Sequence, residues 1–327
     1  MNTALLANTR PLASLLRDVL SLFKLRIGVL IMVTALVGFI ATPGRDASAW
    51  QVLVLALATL VASASAGAYN HYHDHDSDRL MARTRSRPFV TGALPRHPAW
   101  LVLMALMLGG AISAAWIVVN PLAASFVFLG AFVYGVVYTM WLKRRTWLNI
   151  VIGGLAGSFA VLAGAAAADP HLGTLPWLYA LVLFLWTPPH FWSLAIANRD
   201  DYARAGVPML PVVVGNERAA RIVLASTIAL VLASLLPVFH GAGLVYLAGA
   251  LAGGAHFLRK AWQLARAPGR QAAIACFLAS LVQLSAVLAA ACVDAAVRYP
   301  GHARACNALP RFGGGGRAAR VSVLSFV

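Results

Sequence analysis

The run Ala49-Trp-Gln-Val-Leu-Val-Leu-Ala-Leu-Ala-Thr-Leu-Val-Ala-Ser-Ala-Ser-Ala-Gly-Ala-Tyr69, continuing into Asn70-His-Tyr-His-Asp74-His-Asp76-Ser-Asp78, decides the fold. Residues 49–69 carry no charge, and about 20 such residues cross a bilayer as one helix. Three of the chain's ten acidic residues follow within five positions. Carboxylates at a membrane edge are costly unless something positive neutralises them. Metal ions carrying a phosphorylated ligand are the neutralisers that this position favours.

The pattern repeats along the chain. Nine apolar stretches are expected to form helices, at 25–43, 49–69, 99–119, 121–141, 148–168, 175–197, 221–239, 242–258 and 272–293. Hydrophobic residues make up 61% of the sequence and charged residues 11%, against roughly 25% charged in a soluble domain. The runs are too long and continuous for barrel strands, which alternate over roughly ten residues. The reading is an all-α polytopic membrane protein. Residues 1–24 form a lead-in, 25–293 one nine-helix intramembrane domain, and 294–327 a tail. Leu12, Leu15, Leu16, Val19, Leu20 and Phe23 recur at helical spacing, which predicts an amphipathic lead-in helix on the membrane surface. The tail is rich in Gly, Ala and Arg, a composition that predicts disorder.

The net charge of +16 is a topology signal and not a nucleic-acid footprint. Twenty of the 26 Lys and Arg fall in the N-terminal segment or in the loops after the second, fourth, sixth and eighth stretches, including Arg10, Arg17, Lys24 and Arg26. The positive-inside rule then places the N-terminus and those loops in the cytoplasm. Cys276, Cys292 and Cys306 show no ligand spacing, so no zinc site or disulfide framework is expected. No short apolar core with a cleavage site precedes residue 25, so no cleaved signal peptide is expected. Gly153/Gly157 and Gly249/Gly253 are read as close helix contacts.

Asn70, Asp74 and Asp78 lie at i, i+4 and i+8. If the second helix extends through them they form one stripe, drifting about 40° per step. Three oxygen-bearing side chains so placed can share Mg²⁺ with substrate phosphate oxygens. Asp76 falls on another face. His71, His73 and His75 alternate at a spacing that disfavours joint ligation. A second acidic pair, Asp200 and Asp201, would supply an opposing wall for a two-metal diphosphate site, with Asp201 ahead of Asp200. Arg83, Arg87, Lys143 and Arg144 flank the stripe and are candidates for diphosphate contacts. In Trp186-Thr-Pro188-Pro189-His190-Phe-Trp192 the two prolines are expected to break the helix, and His190 is an intramembrane ionisable group.

Asn70-x-x-x-Asp74-x-x-x-Asp78 after a second apolar helix resembles the UbiA superfamily of intramembrane prenyltransferases. Further segments resemble its haem-farnesylating branch: Leu80-Met-Ala-Arg83-Thr-Arg85-Ser-Arg87-Pro88, Tyr138-Thr-Met-Trp-Leu-Lys143-Arg144-Arg145-Thr146 with Asn149-Ile-Val-Ile-Gly-Gly154, Trp186-Thr-Pro-Pro-His190-Phe-Trp192, and Asp200-Asp201-Tyr202 with Ala205-Gly206-Val207-Pro208-Met209-Leu210-Pro211. The resemblance spans residues 20–293. It implies a nine-helix bundle around a central cavity, with Mg²⁺ as cofactor and farnesyl diphosphate and haem B as substrates. It implies Asp74, Asp78, Asp201 and Lys143 as catalytic candidates, with Asn70 and Asp200 among the metal ligands. Tyr138 would face the allylic cation and His190 the haem. It further implies a bacterial inner-membrane location and a downstream haem-modifying enzyme as partner. Two departures stand out: Asp201 is followed at +4 by Ala205, and Thr146-Trp-Leu-Asn149 replaces an expected Pro-Gln-Asn. Two alternatives remain open from the residues, prenylation of a quinone precursor or other aromatic acceptor, and metal or solute transport through the His/Asp loop. Transport predicts acids near the bilayer midplane, whereas these cluster at one edge.

Overall fold

The computed structural model describes residues 11–44 and 47–299. Arg10, Arg45 and the tail from residue 300 onward, with the disorder expected of it, lie outside the described residues. Among the described residues the chain is helical throughout, with no strand.

In chain order, α1 (Leu12–Leu22) leads into α2 (Leu25–Ala41), and α3 (Ala49–His73) carries the opening run. Ser48 starts α3 with a capping box: its hydroxyl accepts from the Gln51 amide at 3.3 Å, and the Gln51 side chain accepts from the Ser48 amide at 2.9 Å. Two short turns follow, α4 (His75–Asp78) and α5 (Pro88–Thr91), then α6 (Ala99–Ala114) and α7 (Pro121–Phe132). Pro121 opens α7 because a first-turn N–H needs no ladder partner. Asn120 caps α7 through the Ala123 amide at 2.7 Å and donates to the Ala166 carbonyl at 2.8 Å.

Both α6 and α7 continue as π-helix, at Ala115–Val119 and Val133–Leu142. Next come α8 (Asn149–Gly153), α9 (Leu155–Ala168), α10 (Thr174–Ala197), α11 (Arg199–Arg204), α12 (Leu210–Val214) and α13 (Asn216–Ala233), which leads into a 3₁₀ turn at Leu236–His240. The last two are α14 (Leu244–Arg266) and α15 (Arg270–Arg298).

All nine expected stretches fall on helices. Among the described residues seven helices are individually long and apolar enough to cross a membrane, or eight when α1 and α2, bent by 45°, count as one span. By itself α2 is 17 residues long. The C-terminal third of α14 is polar, holding Arg259, Lys260, Gln263 and Arg266. The last helix runs to Arg298, past the expected boundary at 293. Asp294 is buried there and accepts from the Gly243 amide at 2.7 Å, capping α14.

The bundle closes through α2. It packs on α3 and α9, α9 on α7 and α10, α10 on α13 and α15, α14 on α13 and α15, and α15 returns to α2. Small residues set the closest approaches. A Cβ on Gly164 of α9 would overlap the Ala35 carbonyl oxygen of α2. The expected contacts hold for Gly153, Gly249 and Gly253, each of which faces a neighbouring residue, but not for Gly157, which has open space around it.

The expected break at Pro188-Pro189 does not occur: α10 runs through both prolines. The Thr187 hydroxyl donates back to the Leu183 carbonyl at 3.0 Å, and burial of Pro188, Pro189 and His190 among neighbouring helices keeps the turn closed.

Candidate active site

The stripe forms although the helix is interrupted. Asp74 ends α3 with φ −84° and ψ 4°, and α4 resumes at His75. The Asp74 amide still donates to the Asn70 carbonyl at 3.0 Å, and the Asp78 amide to Asp74 at 2.9 Å. The i, i+4, i+8 alignment therefore survives the kink. Asn70, Asp74 and Asp78 are all buried, with both carboxylate residues at 0% exposure.

Each buried acid meets a cation from elsewhere in the chain. Lys143 pairs with Asp74, and Arg87 pairs with Asp78. Asn70 donates to Asp74 Oδ2 at 2.6 Å and to the Thr139 hydroxyl at 3.2 Å. Lys143 sits where the π-helix ends, its amide donating to the Tyr138 carbonyl five residues back at 2.9 Å. The wider turn stacks Tyr134 on Tyr138, with ring centres 5.7 Å apart and planes at 10°. A Cβ on Gly153 would lie 2.9 Å from the Tyr138 ring, so glycine leaves that ring its place. π-Helical segments are frequent at functional positions.

The other predicted residues are more dispersed. Arg144 is exposed and donates to the Ser77 hydroxyl at 3.1 Å. Arg83 is exposed. Asp76 is exposed and bonded to His75 at 3.0 Å, and that bond holds its carboxyl below the usual carboxylate range. His71 is buried, His73 lies 3.4 Å from Asp74, and His75 contacts Asp76 and Arg79, so the three histidines do not converge.

Asp201 lies in the first turn of α11 and pairs with Arg204, whereas Asp200 is exposed. Among the described residues no three His, Cys, Asp or Glu side chains group closely enough to hold a metal. Asp201 is bonded to Arg204 and to no residue of the stripe. Each inner carboxylate is turned to its own cation instead.

One observation bears directly on a metal. Asp78 Oδ1 is buried with no hydrogen-bond partner, although the other oxygen of that carboxylate holds Arg87. A buried acceptor left open is expensive, and a divalent cation would satisfy it. The donor set of Asn70, Asp74 and Asp78 is all oxygen, which suits Mg²⁺.

His190 lies apart from the stripe, on α10. Its Nδ1 is 2.6 Å from the Ser280 hydroxyl on α15. Its ring is stacked between Trp186 at 4.0 Å and Phe277 at 4.5 Å, and Trp186 donates to the Ser280 carbonyl at 2.8 Å. This fixes the imidazole and commits one nitrogen.

Sequence reasoning missed Lys24. It counted only as one of many basic residues, yet its ammonium lies 2.6 Å from Asn70 Oδ1 and 3.2 Å from the Tyr134 hydroxyl. The available signal was its place, directly before the first apolar stretch. Tyr134, one helical turn before Tyr138, was missed too.

Residues 31–282 match the UbiA prenyltransferase family. A relative from Paramagnetospirillum magneticum named protoheme IX farnesyltransferase 2 is 55% identical over 279 residues, covering 85% of this chain and 97% of the relative. The fold is similar to a structure described for digeranylgeranylglyceryl phosphate synthase, with TM-score 0.72, 17% identity and coverage of 86% of this chain and 99% of the other. It is also similar to a UbiA homolog from Archaeoglobus fulgidus bound to DMAPP and Mg²⁺, with TM-score 0.67, 17% identity and coverage of 83% and 99%. With its buried acid stripe, its cations and its multi-pass helical bundle, the chain belongs to the UbiA prenyltransferase family.

Proposed function

We propose that this prenyltransferase moves a farnesyl group from farnesyl diphosphate to a vinyl group of haem B, giving haem O and diphosphate. The buried stripe of Asn70, Asp74 and Asp78, with one open carboxylate oxygen, carries the diphosphate half of this reading. The acceptor rests on the likeness to the Paramagnetospirillum magneticum relative named for protoheme IX.

Asn70, Asp74 and Asp78 would hold Mg²⁺, with Asp201 and Asp200 as further ligands. The ion would supply positive charge against the diphosphate. Lys143, Arg87, Arg83 and Arg144 would share the charge that develops on the leaving oxygens. The C–O bond of farnesyl C1 breaks and a bond forms from C1 to the terminal vinyl carbon. Water adds to the remaining cationic carbon and loses a proton, leaving a hydroxyethylfarnesyl substituent. The paired faces of Tyr134 and Tyr138 would stabilise the allylic cation, and burial would keep bulk water from it. His190, held by Ser280, Trp186 and Phe277, would contact the haem.

The residues divide into an interfacial lead-in, the intramembrane domain and a C-terminal tail. The basic loops and N-terminus face the cytoplasm across a bacterial inner membrane, and the haem product passes to a downstream haem-modifying enzyme. The test is to incubate purified protein with haem B, farnesyl diphosphate and Mg²⁺ and weigh the porphyrin by mass spectrometry. A gain of one farnesyl group and one hydroxyl group is expected. Unmodified porphyrin with prenylation of an aromatic acid instead would overturn the acceptor.

A further inference from the structure

Lys24 is the only non-glycine among the described residues with positive φ (φ 48°, ψ 42°). That backbone is unfavourable for an L-residue and persists only where its surroundings impose it. It lies at the 45° bend between α1 and α2. The bend turns the lysine stem across Gly67, where a Cβ would meet Lys24 Cδ at 3.4 Å. The ammonium then reaches Asn70 Oδ1 and the Tyr134 hydroxyl.

An apolar cluster holds this bend. Leu22, two residues before Lys24, is fully buried with Ala68, Phe89, Leu94 and Met104. Phe89 lies two residues after Arg87, the partner of Asp78. One cluster thus anchors the backbone beside two of the cations that enter the stripe.

The contact atom matters. The Asn70 amide nitrogen is committed to Asp74 and Thr139, so Oδ1 is the only atom it can offer a metal, and Lys24 occupies it. Mg²⁺ binds oxygen at about 2.0–2.1 Å, and an ammonium 2.6 Å from the same oxygen would repel it. A lysine carries three donors on a flexible stem and can move by an ångström or two without unfolding its anchor.

We propose that Lys24 is an exchangeable internal counter-ion: it holds Asn70 Oδ1 while the stripe is empty, yields that oxygen to the metal, and transfers its hydrogen bond to the prenyl diphosphate. This rests on the metal–diphosphate reading of the site. It separates Lys24 from Lys143 and Arg87, which sit on carboxylates.

The test measures two affinities on purified full-length protein. Mn²⁺ is titrated by electron paramagnetic resonance without diphosphate, and KM for farnesyl diphosphate is measured separately. In Lys24→Met, Mn²⁺ should bind about tenfold more tightly and KM should rise about tenfold, the worth of one charge-assisted hydrogen bond. Lys24→Arg should restore KM. If Lys24→Met is not recovered folded, Lys24→Gln replaces it, with the same opposite shifts expected. A merely structural lysine would weaken both affinities, and any pattern other than opposite shifts overturns the proposal. Asp74→Asn serves as the reference. If that variant keeps Mn²⁺ binding and turnover, the reading of the site itself fails, whatever Lys24 does.

Discussion

Replacing Asp74 with Asn removes one charge from the centre of the stripe while keeping its size. Asp74 is fully buried, and its Oδ2 accepts from both Asn70 and Lys143. Asparagine can still accept one of these bonds but leaves the buried Lys143 ammonium without a counter-charge. Breaking a buried pair from one side costs about 3–5 kcal/mol. Removing both charges, in Asp74→Asn with Lys143→Met, should be nearly neutral by comparison. The double variant is therefore expected to recover most of the lost stability, with a coupling energy of about 2–3 kcal/mol. Activity should follow a different course, absent in both single variants and in the double. Unfolding in detergent gives the stability cycle, and mass spectrometry of the porphyrin gives turnover. Additive stability losses would refute the buried pair. Farnesylation at the normal rate in Asp74→Asn would refute the assignment of the stripe to the diphosphate.

Three further outcomes follow from the same geometry. Stripping divalent metal with a chelator should abolish turnover, and Mg²⁺ should restore it; full activity in metal-free protein would remove Asn70, Asp74 and Asp78 as ligands. Gly164→Val would press a side chain onto the Ala35 carbonyl and should destabilise the bundle by about 1–3 kcal/mol. Gly157→Ala, in open space on the same helix, should stabilise it by up to about 1 kcal/mol, and equal melting of the two variants would contradict the packing described for α2 and α9. His190→Phe keeps an aromatic ring between Trp186 and Phe277 but loses the nitrogens, so haem B binding, followed by its absorption band, should weaken about tenfold or more. Unchanged haem binding would remove His190 from the acceptor site.

Local periodicity and hydropathy determined the helical membrane class, the position of each apolar helix and the alignment of Asn70, Asp74 and Asp78. Those features depend only on spacing along one segment, and spacing is written in the sequence. The same reasoning separated Asp76 from the stripe, and the structure leaves Asp76 exposed. It erred where neighbours outweigh local preference. The Pro188-Pro189 pair was expected to break α10, but the helix is buried at Pro188, Pro189, His190 and Trp192 and runs through. Only the tertiary structure decided which cation meets which acid: Lys143 reaches Asp74 across 69 positions, and Lys24 reaches Asn70 across 46. Basic residues look alike in a positive-inside pattern, and what distinguishes them is the rotation and approach of packed helices. The left-handed turn at Lys24 has the same origin, because the burial of Leu22 against α3 and α5 compels a backbone that no local preference would choose.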